Sequence, residues 1–454
     1  QTANGSANEY ALRSFFGRLT YDYDNRYLVE ANIRRDGTSR IFKDSRWGVF
    51  PSFSGAWRII NEPFMEGTRN VLSDLKLRGG WGVLGNQAIS YYSYQSVLDQ
   101  ANYSFGGTVV QGVAPVDGAN RNLVWETTET LNFGLDMGFL GNQYTLSIEG
   151  YRKLTYDILM KLPVSTLYGL NAPYQNAGKV KNTGFEMTAG YKLNTHGWNF
   201  QVSANAAYNK NEVLDLKNGG ARIWSGKYFN QEGYAINSIG GYIAEGLFKT
   251  EEEVANSATI PGTETAPGDI KYRDINNDGK IDGEDRVYIG NTMPKWTFGL
   301  NLFAEWKGFD ATFLFQGAAD VQGYLAGPGV VGEMIGAKGK PSYMYRDCWD
   351  AETNPNGKFP RAFSSYRQNN SIYNPSSFWI VNSSYLRLKN FQLGYTLPKE
   401  WCNIMGISRI RVYYSGQNLL TFTKFDKGFD PESPEGGSSY PQVKTNTFGL
   451  NITF

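Results

Sequence analysis

The residues best suited to chemistry lie in one short acidic stretch, residues 274–285, with the sequence DINNDGKIDGED. Aspartate or asparagine stands at positions 1, 3, 5 and 9 of this stretch, and Gly279 stands at position 6, where calcium-binding loops turn sharply. The lysine at position 7 would contribute its backbone carbonyl, and position 12 is an aspartate where an EF-hand has a glutamate. Because Ca²⁺ prefers such oxygen ligands, the spacing predicts a calcium site formed by Asp274, Asn276, Asp278, Lys280, Asp282 and Asp285.

The surrounding sequence favours a bound ion over a merely solvated acidic turn. Residues 245–285 contain eleven acidic and four basic side chains, and a divalent cation would relieve their mutual repulsion. The flanking segments are strand-like and not helical. We therefore expect a structural clip, meaning an ion that orders the long loop after Ser238 without the conformational opening of a calcium sensor. Calcium is plentiful outside cells, where even a weak site of about 10⁻⁴ to 10⁻³ M is occupied. No organic cofactor is indicated.

The remaining residue types argue against catalysis. The single histidine, His196, lies in the turn-like sequence NTHG, which disfavours a zinc centre or a histidine-based catalytic set. Cys348 and Cys402 allow one disulfide at most, and the sequence leaves their pairing open. The net charge is +1 with no basic block, so nucleic acid is not an expected partner. We therefore expect that the protein is not an enzyme.

The elements that must position this loop are strands, and the clearest two form a hairpin in residues 127–154. Apolar side chains occupy every second position from Leu131 to Phe139, and the second arm alternates in the same way from Tyr144 to Ile148. This period of two predicts strands with one apolar and one polar face. Each arm is roughly eleven residues long, which at about 3.3 Å per residue and a tilt near 45° matches the apolar band of an outer membrane.

The same alternation recurs along the whole chain in about thirteen segments, joined in turn by short turns and long loops. Near Lys389 and Asn390 the apolar parity changes, which predicts a β-bulge within one strand. The predicted strands are residues 12–22, 26–35, 47–58, 74–84, 127–139, 144–154, 181–193, 198–209, 295–306, 309–315, 384–396, 410–414 and 444–454.

The predicted fold class is all-β, a transmembrane antiparallel β-barrel with long extracellular loops. An odd number of antiparallel strands leaves an open edge at each end, so we expect residues 1–454 to be the C-terminal part of a barrel of about 22 strands. Residues 210–294 form a predicted extracellular loop that contains the calcium-type sequence.

Aromatic side chains in the predicted loops are candidates for contacts with a substrate, because aromatic faces offer large contact area at low entropic cost. They would equally suit packing of the long loops against one another. The candidate substrate-binding residues are Tyr91, Tyr92, Tyr94, Trp224, Tyr228, Tyr343, Tyr345 and Trp349.

Several segments resemble the SusC/RagA family of TonB-dependent outer-membrane transporters of Bacteroidetes. They follow one another in a fixed order over nearly the whole chain. The matching segments are LKLRGGWGVLGNQ (75–87), NLVWETTETLNFGLDMGFLGNQYTLSIEGYRK (122–153), VKNTGFEM (180–187), PGDIKYRDINNDGKIDGEDRVYIGNTMPKWTFGLN (267–301), SYLRLKNFQLGYTLP (384–398) and YYSGQNLLTFTKFDKGFDPE (413–432).

The resemblance implies a barrel around an N-terminal plug, a SusD-like surface lipoprotein as its lid, and import driven by the TonB complex. No plug, TonB box or first strands occur in these residues, so the expected partners are the plug and N-terminal barrel portion of the same transporter, the SusD-like lipoprotein, the TonB complex and membrane lipid. The expected function is part of an energy-dependent importer of oligosaccharides in the bacterial outer membrane. The alternatives are an oligopeptide importer of the RagA type and, less favoured because the strands are long, a soluble carbohydrate-binding β protein.

Overall fold

A computed structural model describes residues 5, 7–325, 346–362, 374–404, 406–425, 429–433 and 442–454. Strands dominate these residues, and they are joined by two short α-helices and several 3₁₀ turns. No helix in the described ranges is both long enough and apolar enough to cross a membrane.

In chain order the strands are β1 (Leu12–Tyr23), β2 (Tyr27–Thr38), β3 (Trp47–Arg58), β4 (Leu72–Asn86), β5 (Leu98–Phe105), β6 (Thr108–Pro115), β7 (Glu126–Phe139), β8 (Tyr144–Tyr156), β9 (Leu159–Lys161), β10 (Tyr174–Asn176), β11 (Lys179–Thr195), β12 (Trp198–Asp215), β13 (Ile223–Ser225), β14 (Tyr228–Asn230), β15 (Ser238–Gly241), β16 (Ala244–Leu247), β17 (Ile270–Tyr272), β18 (Val287–Gly290), β19 (Trp296–Trp306), β20 (Phe309–Ala319), β21 (Gln322–Tyr324), β22 (Ile380–Asn382), β23 (Tyr385–Thr396), β24 (Arg409–Thr423) and β25 (Thr445–Thr453). The helices are α1 (Glu251–Ala255) and α2 (Lys399–Ile404), and the 3₁₀ turns are Ile59–Asn61, Pro63–Thr68, Thr166–Tyr168, Gly283–Asp285 and Ser377–Trp379.

Thirteen of these strands belong to one sheet, which confirms the number predicted from the alternation. They are β1, β2, β3, β4, β7, β8, β11, β12, β19, β20, β23, β24 and β25. Strands β1 and β25 each have one neighbour in the described part of the chain, as expected for a sheet with two open edges. By its internal packing the chain divides into unit 1 (Gln1–Tyr191, Ala207–Ile223 and Asn230–Ile236) and unit 2 (Lys192–Ala206, Trp224–Phe229 and Asn237–Phe454).

In unit 1 the strand registers keep one face of the sheet apolar. Leu19 of β1 lies opposite Ala31 of β2, which in turn lies opposite Phe53 of β3. The side chains of Leu19 and Phe53 are 71% and 54% exposed, and rows of large exposed apolar side chains are the mark of a lipid-facing surface. We call this side of β1–β3 the lipid face.

The opposite face of unit 1 is polar and charged. Arg78 of β4 contacts the carboxylates of Asp136 on β7 and Glu149 on β8, and Lys76 pairs with Asp136 at 2.9 Å. These charged groups satisfy one another across three neighbouring strands, which is the alternation of lipid-facing and lumen-facing residues expected of a barrel wall.

In unit 2, too, neighbouring strands pair their apolar residues on one face of the sheet. In β19 and β20, Leu300 lies opposite Phe315 and Trp306 opposite Phe309. A two-residue turn joins these strands, and both of its residues, Lys307 and Gly308, have the positive φ that such tight hairpins require (+47° and +88°). The predicted bulge is confirmed, because the pairing of β23 with both neighbouring strands shifts between Leu388 and Asn390.

The long connections of unit 2 fold around a hydrophobic core of their own. The segment between β12 and β19 contributes Ile239 and Ile281, and the segment between β20 and β23 contributes Tyr324 and Trp379, all of them buried. The described parts of these loops therefore pack into a core, because their own apolar side chains replace contact with water.

The structure also differs from the sequence expectations in its details. Strand β12 runs on to Asp215, so the predicted loop of residues 210–294 starts inside a strand. An exposed hairpin, β5–β6, lies in a segment where no strand was predicted. Cys348 and Cys402 are both buried and form no disulfide with each other, which answers the question of their pairing. His196 lies in an exposed turn with φ +47°, as its sequence context predicts.

Candidate functional site

The acidic loop of residues 274–285 lies in unit 2, between β17 and β18. Its first carboxylate organises the turn: Asp274 Oδ1 accepts hydrogen bonds from the backbone N–H groups of Asn277 (2.7 Å) and Asp278 (3.3 Å), and Oδ2 accepts one from Gly279 (2.8 Å). Asn277 and Gly279 have φ of +59° and +84°, the left-handed conformation of a tightly wound loop. The chain is therefore wrapped around the carboxylate of Asp274.

A positive charge already lies against two of the predicted ligands. The ammonium of Lys280 is 2.6 Å from Asp282 Oδ2 and 3.4 Å from Asp278 Oδ2. The hydrogen bond from Lys280, followed by one from the backbone of Glu284, holds the pKa of Asp282 below its usual value, and the two carboxylates raise the pKa of Lys280. A divalent ion bound to these oxygens would have to displace this ammonium group.

The last predicted ligand, Asp285, connects the beginning and the end of the loop by hydrogen bonds. Its side chain is fully buried, Oδ1 accepts from the backbone N–H of Ile275 (2.8 Å), and Oδ2 accepts from that of Asp282 (2.8 Å). Both oxygens are thus engaged by the backbone, and only their remaining lone pairs could face an ion.

The loop is also anchored from within by Ile281, which is 1% exposed and belongs to the core of the unit 2 loops. Its backbone N–H donates to the carbonyl of Thr259 at 3.0 Å. The acidic loop is therefore tied to this core by one buried side chain and one backbone hydrogen bond.

The donor set has the chemistry of a calcium site, because it consists of carboxylate and amide oxygens. Within the residues described, however, no three histidine, cysteine, aspartate or glutamate side chains converge as they would around a metal ion. Calcium therefore fits the loop only if Lys280 moves away and the carboxylates of Asp278 and Asp282 turn toward Asp274. The calcium site stays a prediction.

Three of the candidate aromatic residues lie together in unit 1. The guanidinium of Arg40 lies over the rings of Tyr10 (4.6 Å) and Tyr91 (4.7 Å), and the rings of Tyr91 and Tyr92 are 6.5 Å apart. Tyr94 packs against Phe42, at 5.8 Å between ring centroids. Tyr91 and Tyr92 keep 40% and 38% of their surface exposed, so this cluster can contact another molecule.

The other candidates that the structure describes belong to unit 2. In unit 2, Trp224 lies under the guanidinium of Arg286 at 3.8 Å, and Tyr228 packs against the loop core. Trp349 is 7% exposed and lines a cavity of about 670 Å³. Tyr343 and Tyr345 lie outside the described residues.

A charged cluster in unit 2 was not anticipated from the sequence. Arg387 of β23, 3% exposed, contacts Asp430 at 2.7 Å and Glu432 at 3.1 Å, and Lys389 contacts Glu432 at 3.0 Å. The hydroxyl of Ser383 donates to the backbone carbonyl of Pro431 at 2.7 Å. These contacts fasten residues 429–433 to the polar side of β23, and we call them the β23 latch. In the sequence, the only sign of this cluster is the presence of charged residues, such as Arg387, inside a predicted strand.

Burial makes the thiol of Cys348 a poor nucleophile. It raises the pKa of Cys348 to about 11, so the reactive thiolate is scarce at neutral pH. No catalytic grouping was expected from the sequence, and the hydrogen bonds to Asp274 and Asp285 stabilise the winding of the acidic loop.

Long antiparallel strands with a lipid face, a charged opposite face, tight turns and folded long loops define the wall of an outer-membrane β-barrel. The chain belongs to the TonB-dependent receptor β-barrel family, since the family described as "TonB dependent receptor-like, beta-barrel" matches residues 1–419. This confirms the expected fold and the outer-membrane location.

Individual relatives agree with the expected resemblance. TonB-dependent receptor P3 of Formosa agariphila is 32% identical over 471 residues, which cover 98% of this chain and 46% of that protein. TonB-dependent receptor SusC of Bacteroides thetaiotaomicron is 32% identical over 491 residues, which cover 100% of this chain and 44% of that protein. A chain of the RagAB peptide transporter matches with a TM-score of 0.80 and 28% identity, over 98% of this chain and 48% of its own length. The chain spans about half the length of these relatives.

Proposed function

We propose that this chain forms part of an energy-dependent outer-membrane importer that takes up oligosaccharides. The observation that carries the proposal is the match of nearly the whole chain to TonB-dependent receptors, together with a sheet that has one lipid face and one charged face. A wall of this kind separates lipid from a polar interior, which is what passage of a hydrophilic cargo requires. Binding and transport, and not catalysis, would be its role.

The proposed partners follow from the resemblance. They are the plug and N-terminal barrel portion of the same transporter, a SusD-like lipoprotein as lid, and the TonB complex. Strands β1 and β25 each lack a second neighbour among the described residues, which supports a further barrel portion, because lipid cannot hydrogen-bond the unpaired backbone groups of an edge strand.

Oligopeptide import is the second candidate function. A solved relative is described as the RagAB peptide transporter, whereas another relative is named SusC, so cargo class is what the experiment must decide. The exposed tyrosines beside Arg40 suit either cargo, because aromatic and cationic groups contact sugar rings and peptide side chains alike.

We expect that deleting the gene will abolish uptake of labelled oligosaccharides and leave uptake of labelled oligopeptides unchanged. Uptake in the parent strain should also stop when a protonophore dissipates the energy supply. Complementation with the wild-type gene is the control. Loss of peptide uptake alone would establish the alternative cargo, and unchanged uptake of both would reject the importer.

We also propose that the acidic loop binds calcium as a structural clip of the unit 2 loops. The spacing of its oxygens and the winding of the chain around Asp274 support this. The ion would take the place of the Lys280 ammonium, with the backbone carbonyl of Lys280 among its ligands. Ile281 would couple occupancy of the loop to the stability of the core.

Calcium should protect the loop after Ser238 of the full-length protein from proteolysis, with a midpoint of about 10⁻⁴ to 10⁻³ M. The variant with Asp274→Ala and Asp278→Ala should be cleaved equally with and without a chelator. Lys280→Met should shift the midpoint to lower calcium, because the competing ammonium is removed while the backbone carbonyl remains.

Glu284→Gln is the matched control for this experiment. It removes one negative charge from the same loop at position 11, outside the predicted ligand set, and should leave the calcium midpoint close to that of the wild type. If the chelator leaves the unmutated loop equally protected, the loop is an acidic turn held by Lys280 alone.

A further inference from the structure

The lipid face of unit 1 carries aromatic rings at both of its ends. At the turn end, the ring of Tyr27 lies 6.4 Å from those of Tyr23 and Trp57. At the far end, Phe15 of β1 stacks on Trp47 of β3 at 6.0 Å. Short turns lie on the periplasmic side of such barrels, so the Phe15–Trp47 pair marks the level of the outer leaflet.

Two arginines extend over this outer pair of rings. The guanidinium carbon of Arg13 is 5.1 Å from the ring centre of Phe15, and that of Arg35 is 4.9 Å from the ring centre of Trp47. The registers place both side chains on the lipid face, since Phe15 lies opposite Arg35 and Arg13 opposite Gly37. Gly37 leaves room for the Trp47 indole, because a Cβ at that position would come within 2.8 Å of the ring.

The charges of these two arginines are not neutralised by the described part of the protein. Neither has a carboxylate within 4.0 Å in the ranges described, and both side chains are exposed. Their neighbour Arg34 shows the contrast: it points to the opposite face and pairs with Asp36 at 2.6 Å. Two guanidinium groups at the edge of an apolar band therefore have no carboxylate partner in the part of the chain that the structure describes.

We propose that Arg13 and Arg35 bind the phosphate of an anionic lipid headgroup in the outer leaflet. A guanidinium offers two parallel N–H donors to a phosphate, and its long stem allows the charge to reach headgroup level while the aromatic rings stay in the apolar layer. The occupant is a phosphate-bearing membrane lipid and not a soluble substrate, because the two side chains lie on the same face as Leu19 and Phe53, away from the charged face. This site would fix the height of unit 1 in the membrane.

The test uses the full-length protein reconstituted in vesicles of phosphatidylcholine with a minor fraction of phosphatidic acid. The quantity measured is the phosphatidic acid retained per protein molecule after extraction into detergent. The double variant Arg13→Gln and Arg35→Gln should bind phosphatidic acid more weakly, by about fivefold in affinity for each arginine removed, and should therefore retain less of it. The reason is that each cation near a charged membrane surface contributes about 1 kcal/mol. Arg13→Lys with Arg35→Lys should keep most of the binding, because the charge remains while the two-pronged geometry is lost.

Arg34→Gln is the matched control, with the same charge removed from the adjacent residue on the opposite face, and it should leave retention unchanged. Inorganic phosphate at millimolar concentration should not compete, because it lacks the acyl chains held against the apolar band. The proposal is overturned if the double glutamine variant retains as much phosphatidic acid as the wild type, if Arg34→Gln lowers retention equally, or if inorganic phosphate displaces the lipid.

Discussion

Replacing Arg387 with leucine should detach residues 429–433 from the barrel wall. The substitution leaves the Asp430 carboxylate, whose side chain is 8% exposed, without its ion-pair partner, and removing one partner of such a buried ionic group costs about 3 to 5 kcal/mol. Glu432 keeps its contact with Lys389. The segment can avoid that penalty by moving its carboxylates into water. We therefore expect loss of the β23 latch without unfolding of the strands.

The measurement is the rate of proteolytic cleavage within residues 424–433 of the full-length protein, compared with its thermal unfolding. The control is a double variant that adds Asp430→Asn to Arg387→Leu, which removes the unpaired charge along with its partner and leaves Glu432 paired with Lys389. The double variant should recover much of the protection, because a neutral side chain tolerates the buried site better than an unpaired carboxylate. Equal cleavage of the single and double variants would mean that the ion pair of Arg387 and Asp430 does not hold the segment.

Introducing arginine at Leu300 should destabilise the barrel by roughly 2 to 4 kcal/mol. Leu300 lies midway along β19, between Trp296 and Trp306, and opposite Phe315 on β20. A guanidinium at this depth must either lose its hydration or draw water and headgroups into the apolar layer.

The matched control is Asn301→Arg, one position along the same strand on the opposite face, where the cost should be small because the added charge can stay hydrated. Leu450→Arg and Asn451→Arg on β25 form a second such pair. The comparison is the urea midpoint of each full-length variant unfolded from lipid vesicles, followed by tryptophan fluorescence. Equal destabilisation at both positions of a pair would contradict the assigned faces.

The strands were predictable because their determinant is local. Alternating residues such as Leu300 and Asn301 define a lipid face and a polar face within one strand, whatever the rest of the chain does. The bulge at Lys389 was predictable for the same reason, since a change of apolar parity within one strand requires an extra residue. Tight turns such as that at Lys307 and Gly308 follow from the short spacing between two alternating segments.

The loops were less predictable because their order depends on contacts between distant segments. The hairpin β5–β6 lies in a segment of mixed polarity that has no clear alternation, and it was missed. The core formed by Ile239, Ile281 and Trp379 joins residues that no local pattern relates. Hydrophobic packing is not directional, so sequence alone does not specify which apolar residues of two long loops will meet.

In the acidic loop, some features follow from the local sequence and others depend on the tertiary structure. The sequence determined which oxygen-bearing residues could surround an ion and at what spacing, because a tightly wound loop is specified by near neighbours such as Asp274 and Gly279. Only the tertiary structure decided that the oxygens of Asp285 accept backbone N–H groups and that Lys280 lies against Asp282. The same holds for Arg387 and Asp430, which are 43 residues apart and meet only because the chain returns to β23. Side-chain charges are visible in a sequence, but the partner that each one finds depends on how the whole chain is folded.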